Sequence, residues 1–106
     1  MRPIHDDPAA VRAALARFAG QGVYVHAECI PGGFVRNARF EVAAAELRGE
    51  GRYRVALRCQ EGAWVRLEDL THWELDPQGR LMLLAFGDAE QRLSRTLELS
   101  LQPFPV

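Results

Sequence analysis

Two histidine–glutamate pairs, each with its members two positions apart, are the residues of this sequence best suited to chemistry. They are His26 with Glu28 and His72 with Glu74. Side chains two apart on a strand point to the same face, so each pair can present an imidazole beside a carboxylate. On neighbouring strands the four side chains could hold zinc or iron. Such pairs are also common on polar strand faces, and we predict hydrogen-bonded cross-strand pairs with no metal and no cofactor.

Aromatic and arginine side chains offer a second chemistry, the binding of a small anionic or sugar-containing ligand. Aromatic faces stack on sugars, and the planar guanidinium fork binds carboxylates. Filling of the core and its rim is the alternative role for the two tryptophans. The candidates are Tyr24, Tyr53, Trp64 and Trp73 with Arg36, Arg54 and Arg58. From both groups we predict a ligand or partner surface made of Tyr24, His26, Glu28, Arg36, Arg54, His72 and Glu74.

Nucleophilic catalysis is not indicated. Ser94 and Ser100 have no glycine elbow around them, which a serine hydrolase of the α/β type needs. Cys29 and Cys59 each fall on the apolar side of an alternating segment. We therefore predict two small buried thiols, with a disulfide or a reactive cysteine–histidine pair as the alternatives.

The charge is unevenly distributed along a chain of ordinary globular composition. All thirteen basic residues are arginine and the formal net charge is −1, which argues against general nucleic-acid binding because that affinity needs clustered positive charge. Residues 36–66 nevertheless hold seven arginines and four glutamates. A local anion-binding patch is thus the alternative to an ordinary mixed-charge surface.

These residues must be positioned by one domain covering residues 1–106, since a chain of this length forms a single core. A run of 18–20 apolar residues is absent from the sequence, and such a run is what a membrane helix needs. The first residues also lack the apolar region of a signal peptide. We expect a cytoplasmic protein without membrane contact.

The chain is predicted to begin with an amphipathic helix. Asp6 and Asp7 can cap it, Pro8 suits its first turn, and residues 9–18 are mostly strong helix formers. Its apolar residues recur at the spacing of one helix face; they are Val11, Ala14, Leu15 and Phe18.

From Val23 onward the hydrophobic period is two, which predicts strands joined by short turns. Residues 34–47 are predicted as one long strand, although residues 42–47 also have good helix propensity. The turn Asp76-Pro-Gln-Gly79 is typical of type I. Gly87-Asp88 is a further predicted turn, and the prolines of Pro103-Phe-Pro105 end the pairing. The other strands are predicted at residues 23–29, 53–59, 64–67, 71–75, 81–86 and 93–101.

The predicted fold class is α+β, mainly β: the N-terminal helix packed on an antiparallel meander of six to seven strands, curled into a barrel-like form. Residues 81–86 are apolar on both faces and are placed centrally. In the last strand we expect four leucines to face inward and four polar residues outward. These are Leu93, Leu97, Leu99 and Leu101, against Ser94, Thr96, Glu98 and Ser100.

Several runs together resemble the YojF-like family of small bacterial proteins, whose function is uncharacterised. They are Phe34-Val-Arg-Asn37, Gly49-Glu-Gly-Arg-Tyr-Arg-Val55, Leu70-Thr-His-Trp-Glu74 and Pro103-Phe-Pro105. The resemblance spans nearly the whole chain and implies a compact β domain with an N-terminal helix. It also implies an association with the bacillithiol deacetylase, and it assigns no catalytic residue. One departure is the short Ile30-Pro-Gly-Gly33 segment, where the family can have a longer one.

The chain is not expected to be that deacetylase itself. The zinc deacetylases share a His-Pro-Asp-Asp motif after their first strand, whereas here His5-Asp-Asp-Pro8 has another order, no strand before it and no second histidine nearby. The sequence therefore favours a non-catalytic accessory or interaction protein, acting with the bacillithiol deacetylase in low-molecular-weight thiol metabolism. The alternative is a small-ligand-binding or weakly enzymatic domain with a polar cleft around His26 and His72. The apolar residues Phe104 and Val106 are compatible with self-association, for which a two-fold dimer is the commonest form, but no residue of the sequence fixes a dimer.

Overall fold

The computed structural model describes residues 1–87 and 92–105, and within them one α-helix lies against a single antiparallel sheet of eight strands. The helix is α1 (Pro8–Ala16). The strands are β1 (Arg2–Pro3), β2 (Gln21–Cys29), β3 (Gly33–Glu50), β4 (Arg52–Cys59), β5 (Trp64–Leu70), β6 (His72–Leu75), β7 (Leu81–Phe86) and β8 (Leu93–Ser100). The mainly-β antiparallel architecture with one helix is confirmed.

Helix α1 begins as the sequence predicts. The Asp7 carboxylate accepts a hydrogen bond of 3.2 Å from the Ala10 N–H, and Pro8 occupies the first turn. The apolar face is buried, and Phe18, just past the end of the helix, is buried with it. The helix is therefore stabilised mainly by the sheet face that it covers.

The expectation that no strand precedes His5-Asp-Asp-Pro8 was wrong, because residues 2–3 form one. Strand β1 pairs with β6, and the Ile4 N–H donates a 2.8 Å hydrogen bond to the Thr71 carbonyl. Ile4 is fully buried in the core. Two extended residues carry no periodicity, so this pairing could not be predicted from the sequence.

The strands follow the order β1-β6-β7-β8-β2-β3-β4-β5. Consecutive hairpins join β2 to β5 and β6 to β8, and the pairing of β8 with β2 merges the two runs. The single meander was therefore wrong, as was the count of six to seven strands, because β1 adds an eighth. β7 is an internal strand, as predicted. In the described residues β1 and β5 do not pair, so the sheet is not closed.

Strand β3 joins the two halves of the sheet. Residues 33–42 pair with β2 and residues 42–50 pair with β4, which confirms the strand prediction over the helical alternative. A bulge between Val42 and Ala44 shifts the β3–β4 register. A bulge bends the strand and increases its twist, so the two ladders wrap around one core.

The core lies between α1 and the concave face of the sheet. Its fully buried side chains include Ile4, Val11, Leu15, Val23, Val25, Leu57, Leu81, Leu83, Leu97 and Leu99. We call the opposite, convex face the outer face.

Near one end of the sheet, β5 approaches β8 without pairing with it. The Arg95 guanidinium of β8 donates to the Glu68 carbonyl (3.1 Å) and to the Asp69 carboxylate (2.9 Å) of β5.

Three expectations about burial were wrong at the end of the chain. Leu93 and Leu101 are exposed, whereas Thr96 and Ser100 are buried on the outer face. Phe104 is also buried, because residues 103–105 fold back onto that face. Residues 103–105 are held there by Arg36 and Asn37, contacts that strand periodicity does not encode. Asp88 of the predicted turn and Val106 lie outside the described residues.

The β3–β4 hairpin yields a matched prediction. Gly49 has φ of +121°, and a Cβ there would lie 2.3 Å from the Arg52 carbonyl oxygen; Gly51 has φ of +72° and open space around it. We expect Gly49→Asn to destabilise the protein by about 1–3 kcal/mol. Gly51→Asn should cost less than about 1 kcal/mol because Asn tolerates the left-handed region. Urea unfolding measures both, and equal losses would contradict this account of the hairpin.

Candidate functional site

His26 lies on the outer face at a bulge in the β2–β3 ladder, between Val25 and Ala27. Its side chain is buried between Glu28 and Arg36. The Nε2 atom is 3.1 Å from the Glu28 Oε1, and the Nδ1 atom is 3.3 Å from the Arg36 Nη1. Because a guanidinium can only donate, Nδ1 accepts from Arg36 and Nε2–H donates to Glu28. These two partners favour the tautomer that carries its proton on Nε2.

Arg36 and its neighbour Asn37 use their remaining donors to hold the end of the described chain. The Arg36 Nε and Nη2 atoms donate to the Pro105 carbonyl at 3.2 and 2.7 Å. The Asn37 amide donates to the Phe104 carbonyl (2.9 Å) and accepts from the Phe104 N–H (2.7 Å). The guanidiniums of Arg36 and Arg80 lie 5.4 and 5.7 Å from the Phe104 ring centroid. We call this cluster the tail clamp.

The second histidine pair lies on the same outer face, but not beside the first. Strand register runs from Glu28 across Thr96 and Leu84 to His72, and from His26 across Glu98 and Met82 to Glu74. Two strands intervene, which is a separation of about 14 Å at the usual strand spacing. The Thr71 hydroxyl is 2.8 Å from the His72 Nδ1, and the chain's amino group is 3.5 Å from the Glu74 carboxylate.

The seven predicted site residues therefore belong to three surfaces. His26, Glu28 and Arg36 are brought together, and the half-buried Tyr24 lies on the same strand opposite Ser100. His72 and Glu74 lie beside the N-terminal strand. Arg54 lies on β4. Across the described ranges, no three His, Cys, Asp or Glu side chains are grouped so that they could hold a metal ion.

Arg54 belongs to a surface that we call the arginine face, the outer face of residues 42–50 of β3 together with that of β4 and β5. Arg54 stands directly opposite Arg48, and Arg58 stands opposite Trp64. Between them Ala56 pairs with Glu46 on one side and Arg66 on the other. Directly opposed side chains share one face of the sheet, so four arginines surround one small residue.

Ala56 forms the floor of a depression on the arginine face. Its volume is about 430 Å³, and its wall consists of Glu46, Arg48, Arg54, Trp64 and Arg66. Trp64 is 58% exposed, an unusual state for so large an apolar side chain. The other aromatic candidates behave differently: Trp73 and Tyr53 are buried, with the Tyr53 hydroxyl 3.2 Å from the His5 Nδ1. Sequence reasoning missed Arg48, Ala56 and Arg66, although the local arginine excess marked their segment.

The ion pairs on the arginine face are weak. Arg48 Nε is 3.4 Å from Glu46, and Arg66 Nε is 3.7 Å from Glu68, with all four side chains largely exposed. Exposed pairs of this kind contribute about 0–1 kcal/mol. Within the described residues, Arg54 and Arg58 have no ion-pair or hydrogen-bond partner. Arg58 is exposed and Arg54 is half-buried, and the unengaged donors of both are available to another molecule.

The cysteines differ from the prediction in one case. Cys59 is buried, its Sγ lies 3.8 Å from the Leu57 carbonyl, and burial raises its pKa. Cys29 is exposed because β2 runs past the core at its end, so its prediction as a buried thiol was wrong. Both are free thiols, not a disulfide.

Comparison with known proteins gives consistent matches. The model of the family described as "Protein of unknown function (DUF1806)" matches residues 29–104. The "Uncharacterized protein YojF" of Bacillus subtilis (strain 168) is 34% identical over 110 residues, covering 91% of this chain and 93% of that protein. The crystal structure of Bacillus subtilis YojF superposes with a TM-score of 0.79 at 33% identity, covering 92% of each chain. No described helix is long and apolar enough to cross a membrane.

The tail clamp predicts the effect of an isosteric change. Asn37 has φ of +59°, which Asp also tolerates. Asn37→Asp should keep the bond from the Phe104 N–H but lose the donor to the Phe104 carbonyl. We expect a loss of about 1–3 kcal/mol in urea unfolding. An unchanged midpoint would show that the clamp does not contribute to stability.

The two thiols predict a separation in reactivity and a pH effect. Cys29 should react quickly with an aromatic disulfide reagent, and Cys29→Ser should remove that phase, whereas Cys59 should react only on unfolding. Because burial raises the Cys59 pKa above its ordinary 9.0, the unfolded chain ionises first. The stability contributed by the buried, protonated Cys59 thiol is therefore fully present below about pH 9, and it is lost as pH rises through the pKa of the folded state. A rapid reaction of both thiols would contradict this.

Proposed function

The chain belongs to the family of proteins of unknown function DUF1806, and from that premise we propose that it is a non-catalytic accessory protein that binds a partner protein. The observation that carries the proposal is the exposed Trp64 beside the arginines of the arginine face. Tryptophan and arginine are the residues most enriched among those that dominate binding energy in protein interfaces. A solvent-exposed tryptophan on a sheet face is best explained by a partner that covers it.

The shape of the arginine face also favours a protein over a small molecule. Small-molecule sites enclose most of their ligand's surface in a concave, largely apolar pocket. Here the depression lies open on the outer face of β3, β4 and β5, and four of its six lining residues are charged. A broad surface with one central depression suits a protein side chain backed by a wider interface.

The alternative small-ligand cleft around His26 and His72 has less support. Both nitrogens of His26 are occupied by Glu28 and Arg36, and Arg36 is committed to the tail clamp. His72 lies two intervening strands away. These contacts support internal structural roles for both histidines.

We take the bacillithiol deacetylase as the candidate partner, because the YojF-like resemblance implies that association. The chain would then act in low-molecular-weight thiol metabolism as a cytoplasmic protein. We also propose that the sheet is barrel-like, because Arg95 of β8 contacts Glu68 and Asp69 of β5 and draws the two strands toward each other. A two-fold dimer of this chain stays a prediction, which light scattering of the purified protein measures.

The proposal predicts capture of the purified bacillithiol deacetylase by this protein. Trp64→Ala should weaken that binding at least tenfold, equivalent to about 1.4 kcal/mol. Phe34→Ala is the matched control, because Phe34 is an equally exposed aromatic residue (66%) outside the arginine face, and it should bind as wild type does.

Two results together would overturn the proposal. The wild-type protein would show no affinity for the deacetylase, and deletion of its gene would leave the cellular thiol pool unchanged. Loss of binding in Phe34→Ala equal to that in Trp64→Ala would instead show that a different surface is used.

A further inference from the structure

The placement of Arg48 directly opposite Arg54 points to the chemistry of the partner. Like charges directly opposed on neighbouring strands destabilise a sheet. The Glu46 carboxylate lies 3.4 Å from the Arg48 Nε, and within the described residues Arg54 has no ion-pair partner. Among the described residues, the fold therefore places two arginines directly opposite each other and gives an ion-pair partner to Arg48 alone, an arrangement that an external carboxylate would relieve.

The rest of the arginine face repeats this excess. Its outer residues on β3, β4 and β5 include five arginines against three glutamates, namely Arg48, Arg52, Arg54, Arg58 and Arg66 against Glu46, Glu50 and Glu68. Residues two apart on one strand lie about 7 Å from each other. Arg54 and Arg58, on either side of Ala56, thus form a positive row about twice that length. In an extended chain, side chains two residues apart recur at this same spacing. A segment with an acidic residue at every second position would therefore match the row.

The small side chain of Ala56 leaves a recess in this row of arginines. Its side chain is 8% exposed and points into the depression, where a longer side chain would fill the space between Arg54 and Arg66. Guanidinium groups bind carboxylates in a fork geometry that adds specificity as well as energy. The Trp64 ring forms one wall and can cover the apolar stem of an entering glutamate.

We propose that the arginine face binds an extended acidic segment of the partner protein, with one carboxylate seated over Ala56 between Arg54 and Arg66. The inference rests on the proposed function and adds the chemistry of the partner to it. Charge complementarity is what selects this occupant: the face is positive on a chain whose formal net charge is −1, so the attraction is local to these strands.

The test uses a fluorescein-labelled decapeptide of alternating glutamate and serine, with binding followed by fluorescence anisotropy. The wild-type protein should bind it, with affinity that falls as salt rises from 50 to 200 mM. Arg54→Glu should weaken binding at least tenfold, and Ala56→Leu should do so by filling the recess. Arg17→Glu, the same charge change on an exposed arginine just past the end of α1, should stay within twofold of wild type.

Several outcomes would overturn the inference. One is no binding by the wild-type protein, and another is an equal loss in Arg17→Glu, which would mean a response to net charge. Displacement of the peptide by citrate at concentrations near the peptide's own dissociation constant would show a small-anion site. Tighter binding of a ten-nucleotide thymidine strand would show a nucleic-acid surface. If Ala56→Leu does not fold by circular dichroism, Arg54→Glu still decides.

The same variants separate this inference from the proposed function. If the wild-type protein does not bind the acidic peptide, but Trp64→Ala still weakens binding of the deacetylase, the proposed function holds and the partner's segment is not acidic. A protein that binds the peptide through Arg54 but not the deacetylase has the acidic-segment site and a different partner.

Discussion

The long strand β3 is the constraint on which the other features depend. It pairs with β2 along its first half and with β4 along its second, so it is shared by both halves of the sheet. The bulge between Val42 and Ala44 sets the register of the second half. That register places Leu47 opposite Val55 on the core face and Arg48 opposite Arg54 on the outer face. Packing inside and charge outside are therefore set by one alignment.

The two halves of the outer face have different roles. Over β2 and the first half of β3, the tail clamp buries Phe104 and occupies the donors of Arg36 and Asn37. Over the second half of β3 with β4 and β5, Arg48, Arg58 and Arg66 are exposed and Arg54 is half-buried around Ala56. Motifs that carried the family resemblance, Phe34-Val-Arg-Asn37 and Pro103-Phe-Pro105, thus meet each other. They account for how residues 104 and 105 are held against β3.

Local patterns predicted the elements well, because they depend on neighbouring residues. The capping Asp7, the period of two from Val23 and the turn at Asp76 were each readable from a few positions, and each is confirmed. What failed was burial determined by distant segments. Thr96 and Ser100 have the polarity of exposed residues, yet they are buried. The pairing of β1 with β6 likewise joins segments about seventy residues apart.

The same difference between local and long-range information applies to the candidate site. Pairing of His26 with Glu28 followed from their spacing, but the distance to His72 depends on the strand order, which period-two patterns leave open. Arg54 was identified, whereas its neighbours Arg48 and Arg66 come from other strands and needed the register.

The central claim is that the β3–β4 register holds Arg48 and Arg54 together at a cost to stability, for the sake of binding. Urea unfolding of Arg54→Glu at low salt tests it most directly. The account predicts that the variant is more stable than wild type by about 0.2–1 kcal/mol, because an opposed pair of opposite charges replaces two like charges. A variant less stable than wild type would contradict it, since Arg54 would then be a structural residue.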